Sequence, residues 1–340
     1  MEGFLPLEWA VFWTVVAFPF IAYGIYAMRK FFIEHPEKKL SVALSGAFIV
    51  ILSSLKIPSV TGSSSHPTGT GLSVMLSGPW ITVVICTIVL LFQGTFMAHG
   101  GFTTLGANVF SMGIAGPFAA YAVFKWLNKM NANPTASVFI VVFVADIVTY
   151  LVTALQLTLI VPYTGFAAFM DTYATFFGIF AITQIPIAVL EGVLIVLFFK
   201  YLADVRPDLV KGIGYDTSVR QTKSILDGDE AKKEGIFHTA RTKLTLVGFA
   251  ILTGVMVVFV YLMTFFGDYG GADDAGGEAI LDFIPGYELL TENIIQLGEF
   301  GITILFIIQT AIGILLLVYV THLLLRRKQE KSVQNTQEES

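Results

Sequence analysis

PSVTGSSSHPTGTGLSVMLSGPWITVVICTIVLLFQGTFM, residues 58–97, decides how this chain is threaded. It opens on small and hydroxyl side chains with prolines and one histidine, His66, and then turns apolar. Taken as one crossing, it gives eight spans in all and sets the Lys-rich segment after Lys200 opposite RKFFIEHPEKK at 29–39. That violates the tendency of Lys and Arg to stay cytoplasmic. Taken as a helical hairpin turning at SGPW, 77–80, it gives nine spans, and all but Lys56 of the 20 Lys and Arg residues share one side. The hairpin reading is adopted.

Around that stretch lie apolar runs at about 8–28, 40–57, 102–127, 134–160, 173–200, 244–266 and 300–325. At 55% hydrophobic and 13% charged residues over 340 positions, the chain is expected to be an all-α integral membrane protein. About nine transmembrane helices are expected, seven plus two, with the amino terminus outside and the carboxyl terminus cytoplasmic. The opening MEGFLPLE lacks a positive region, so the first run reads as a span rather than a cleaved leader.

Three parts are expected: a seven-span domain over 1–200, a polar cytoplasmic linker over 201–243, and a two-span domain over 244–340. The loop between the last two spans, 267–300, carries 8 acids and no base. Its IPGYELL segment is apolar enough to pack. The net charge of −5 comes with basic residues scattered around the spans, which argues against nucleic acid as a partner.

Two histidines sit at the outer face in this topology. Irregular backbone at membrane depth is tolerated where protein buries it or where it lines a cavity. His66 in such a loop suits a metal ligand, because neutral imidazole binds transition metals well; it also suits a histidine that merely bonds a serine or carbonyl. His99, followed by two glycines, reads as a helix C-terminal cap or as a second ligand. With Cys86 the only cysteine, any metal site must use nitrogen and oxygen.

Asp146 and Glu191 are the carboxylates well inside spans. Burying such charges costs several kcal/mol each on an order-of-magnitude view. They could carry protons, orient a ligand or join helices, the last being the commonest use. No phosphate-binding loop, nucleophile elbow or H-E-x-x-H occurs, so the chain is expected to be no enzyme and to lack its own ATPase.

PSVTGSSSHPTGTGL, LLFQGTFMAHGGFTTLGANVFSMGIAGPFAAY and the opening MEGFLP resemble the CbiM/NikM type of substrate-binding membrane component. That family belongs to the energy-coupling factor (ECF) class of cobalt and nickel importers. The segment from Arg241 onward, with FFGDYGGADDAGGEAILDFIPGYE between two spans, resembles the small CbiN/NikN subunit. The whole is similar to fused proteins of the NikMN or LarMN type.

The resemblance implies a cell-membrane component of an ABC-type ion importer that transports Ni(II) or Co(II) as cargo and has no resident cofactor. Its partners would be a transmembrane coupling subunit and two ATPase subunits supplied in trans. It also implies that amino-terminal nitrogens and the loop histidine hold the ion, which maps to Met1 and His66. The family's amino terminus reads Met-His-Ile-Met-Glu-Gly, whereas this chain begins Met1-Glu2-Gly3, so the family's terminal histidine is absent. A start three codons upstream is the expectation. Four nitrogens in a plane suit Ni(II), and nickel is preferred over cobalt. A proton-coupled metal transporter using Asp146 and Glu191, or a membrane metal sensor, would be the alternatives.

Overall fold

The computed structural model describes residues 5–54, 57–58, 64–96, 101–205 and 272–287, with isolated positions at 210, 254, 308, 311, 315 and 319. Over these residues the protein is helical apart from one two-residue strand pair.

Helix α1 (Leu7–Glu34) is 28 residues of apolar sequence and stops at His35, where the following Pro36 pushes the chain out of helical geometry. Its Val11, Val15, Phe18 and Ile25 are more than half exposed, an apolar outer face suited to lipid. Helix α2 (Lys39–Ser54) follows and leads to β1 (Ile57–Pro58), which pairs antiparallel with β2 (Ser64–Ser65).

The hairpin expected at SGPW exists, with one difference. Helix α3 (Thr70–Ser77) is only 8 residues, about 12 Å long, against the roughly 30 Å of a bilayer core. Gly78 breaks the helix with φ +82°, and Pro79 opens α4 (Pro79–Phe96) at the first position, where a missing N–H costs nothing. The incoming arm is therefore a half-helix preceded by irregular backbone. Residues Thr70 to Leu76 are all buried, so α3 is enclosed by protein rather than lipid.

A continuous helical run then spans Leu105–Lys129. It comprises α5 (Leu105–Asn108), a π-helical stretch (Val109–Ala115) and α6 (Gly116–Lys129). In α7 (Pro134–Thr158), the Asn133 side chain caps the amino end by accepting from Thr135 N at 2.9 Å and Ala136 N at 3.3 Å. Helix α8 (Phe166–Val205) packs along α7. It continues past the expected boundary at Lys200, because Tyr201, Leu202 and Ala203 are buried in the core with Phe198 and Phe199. Helix α9 (Ala272–Phe283) lies within the acidic segment.

Among the described residues, four helical runs are long and apolar enough to cross a membrane: Leu7–Glu34, Leu105–Lys129, Pro134–Thr158 and Phe166–Ala203. Pro79–Thr95 is a shorter apolar helix. The protein is a multi-pass membrane protein. The expected spans at 244–266 and 300–325 lie outside the described residues apart from isolated positions.

Candidate metal centre

The loop at 66–69 begins where β2 ends and stops where α3 starts. Buried in the fold, its backbone groups need partners, and α7 and α8 supply them. Asp146 and Tyr150 stand one turn apart on α7; Gln184 and Glu191 stand two turns apart on α8. Asp146, Gln184 and Glu191 are all buried.

From α7, the Tyr150 hydroxyl accepts from the His66 N–H at 3.4 Å and donates to the His66 carbonyl at 3.4 Å. From α8, Gln184 Nε2 donates to that same carbonyl at 3.3 Å. Glu191 grips the far end of the loop: its two carboxylate oxygens accept from Thr68 N at 2.8 Å and Gly69 N at 2.9 Å. These amides lie at the amino end of α3, where the helix dipole also favours a negative charge. Gly69 has φ +70°, and a Cβ there would meet the Ile49 Cα at 2.9 Å, so only glycine fits.

The imidazole is oriented too. His66 Nδ1 lies 3.1 Å from the Pro67 carbonyl oxygen. A carbonyl only accepts, so this bond puts a hydrogen on Nδ1, and in the neutral ring Nε2 then holds the lone pair. Fixing one ring nitrogen in this way is how proteins present the other to a metal.

The two buried carboxyls have overlapping surroundings, since each lies against Thr68 of the loop. Asp146 accepts from Gln184 Nε2 at 2.6 Å and joins α7 to α8. Glu191 orients the histidine loop. Sequence reasoning missed Gln184 and Tyr150, although a glutamine inside AITQIPIAVLEG is itself a costly polar group that signals a partner. Met1 and His99 lie outside the described residues. Leu5 is buried in one cluster with Trp13, Tyr150 and Phe176. Among the described residues, no three His, Cys, Asp or Glu side chains converge as a metal cluster.

The acidic segment reaches the same place. Ile280 of α9 is buried with Leu5 and Tyr150, Phe283 sits 5.8 Å from Phe176 between ring centroids, and α9 contacts β2. Ile284 and Tyr287 pack against this cluster as their apolar sequence suggested. Burial, reinforced by the nearby Glu8 carboxylate, pushes the Tyr287 phenol above its ordinary value.

A family model described as the cobalt uptake substrate-specific transmembrane region, CbiM, matches residues 1–209, and one for the cobalt transport protein component CbiN matches residues 240–335. The chain belongs to the CbiM family, and its second match makes it a fused M–N component. It is 50% identical over 227 residues to CbiM 1 of Methanosphaerula palustris, covering 67% of this chain and 97% of that protein. It is 51% identical over 203 residues to the cobalt transport protein CbiM of Carboxydothermus hydrogenoformans, covering 60% of this chain and 82% of that one. The fold is similar to the crystal structure of a truncated transition metal transporter. That match has a TM-score of 0.51 at 22% identity and covers 60% of this chain and 97% of the other.

Proposed function

We propose that this chain is the ion-binding membrane component of an importer for a divalent transition-metal ion, nickel before cobalt. It is driven by two ATPase subunits through a coupling subunit of the ECF class, all supplied in trans. The single observation that carries this reading is the His66 loop: irregular, gripped from two helices, with Nδ1 3.1 Å from the Pro67 carbonyl oxygen. Membership in the CbiM family supports it, as does a sequence without a phosphate-binding loop.

In this reading the chain crosses the membrane nine times, with the amino terminus and the His66 loop outside and the carboxyl terminus in the cytoplasm. Residues 1–200 bind the ion, 201–243 link the parts, and 244–340 form the N-type domain. Met1 nitrogens, or those of the expected upstream start, complete the coordination with His66, and His99 is a reserve candidate. The acids of 267–300 raise the local cation concentration beside the entry.

A second reading, cobalt as the cargo, draws on the descriptions of both matched family models. Calorimetric titration of the full chain with Ni(II) and with Co(II) separates the two, using the amino terminus that the gene encodes. Saturable binding is expected in the parent, tighter for nickel, and is expected to vanish in His66→Ala. Tighter cobalt binding would favour the second reading. Undiminished binding in the variant would refute the site itself.

A further inference from the structure

Glu191 bonds the histidine loop at Thr68 and Gly69, and its two bonds are the shortest that any side chain makes to that loop's backbone among those described above. We propose that Glu191 is a positioning residue for the transported ion: it fixes where the His66 imidazole stands by clamping the loop at Thr68 and Gly69. This rests on the reading of His66 as an ion ligand.

The geometry makes the role specific. An imidazole at the start of a four-residue loop is placed only if the loop's far end is also placed. Tyr150 and Gln184 hold the near end at the His66 peptide with bonds of 3.3–3.4 Å. Glu191 holds the far end through both carboxyl oxygens, at 2.8 and 2.9 Å, with Asp146 also beside Thr68. Gly69, with φ +70°, gives that end of the loop access to conformations closed to other residues, so it needs an external restraint. Pro186 lies between Gln184 and Glu191 on α8, so the two grips fall on either side of a missing backbone N–H.

The test uses the full chain in detergent, Co(II) alone as the probe, and three variants: Glu191→Gln, Glu191→Ala and His66→Ala. Glutamine keeps one amide-accepting oxygen, so Glu191→Gln is expected to melt near the parent without metal. Its Co(II) dissociation constant should rise by about tenfold, the equivalent of one strong neutral hydrogen bond. Its cobalt ligand-field absorption should shift, because the imidazole no longer meets the ion at one angle. Glu191→Ala should weaken binding further; if it does not fold, Glu191→Gln carries the test. The proposal is overturned if Glu191→Gln matches the parent in affinity and absorption while His66→Ala has lost binding, and equally if it melts lower with affinity and absorption unchanged. Cobalt binding that survives in His66→Ala would overturn the ligand reading as well.

Discussion

Gln184 reaches Asp146 across the α7–α8 seam, donating to its carboxylate at 2.6 Å. The same nitrogen lies 3.3 Å from the His66 carbonyl, so one amide group joins the helix pair to the loop. Polar bonds between membrane helices average about 0.6 kcal/mol and reach about 1.7 kcal/mol in double-mutant cycles. Because this one is buried and short, the Asp146→Ala and Gln184→Ala cycle is expected to give a coupling near the upper end of that range. Denaturant unfolding of the single and double variants in detergent measures it; purely additive effects would show the bond to be idle.

Tyr150→Phe removes one hydroxyl and nothing else. The His66 peptide loses both of its 3.4 Å contacts to that group while the aromatic packing against Phe180 stays. A neutral hydrogen bond is worth about 0.5–1.5 kcal/mol, which corresponds to about a three- to tenfold rise in dissociation constant for Ni(II) or Co(II). Titration calorimetry checks this, and a slightly lower unfolding temperature should accompany it.

Gly69→Ala should do more harm. The new Cβ would meet the Ile49 Cα at 2.9 Å at a residue whose φ of +70° disfavours side chains. A cost of about 1–3 kcal/mol is expected, read as a lower unfolding temperature and as weakened metal binding. A variant as stable as the parent would mean that the loop adopts another backbone path.

These residues also show what the sequence discloses and what it hides. The hairpin break was legible because glycine and proline at 78 and 79 interrupt an otherwise apolar run, and each acts through its own backbone. His66 was legible because hydroxyls and glycines surround it. The cost of burying Asp146 and Glu191 was legible as well, since each interrupts a hydrophobic span. Their partners were not: Glu191 meets Thr68 across 123 positions, and no local pattern encodes such a contact. Helix α9 was hidden for a different reason. Its Gly276 and Gly277 weaken intrinsic helicity, and the helix is supported by docking of Ile280 and Phe283 on the core. The length of α3 was hidden too, because apolar composition does not say where a buried helix begins.

Helix α9 packs beside β2, next to the loop that carries His66. A chain ending within 201–243 is therefore expected to take up less metal in cells that supply the ATPase and coupling subunits. Accumulation of radioactive nickel at matched membrane levels checks this. Uptake that persists unchanged would assign the acidic loop to mere connection.

Energy supply is tested separately. Accumulation is expected to require the partner ATPase and to survive a protonophore while ATP is maintained, since this sequence has no phosphate-binding loop of its own. Collapse of uptake with the proton gradient at constant ATP would instead point to Asp146 and Glu191 as proton carriers.

The most direct measurement is X-ray absorption of the nickel- or cobalt-loaded full chain, compared with His66→Ala under the same loading. Imidazole gives a recognisable outer-sphere scattering pattern. The parent is expected to show it in a nitrogen-rich sphere, and the variant to show it weakened, with a lower affinity. An identical spectrum in the two proteins, at the same affinity, would contradict the assignment of His66 to the ion.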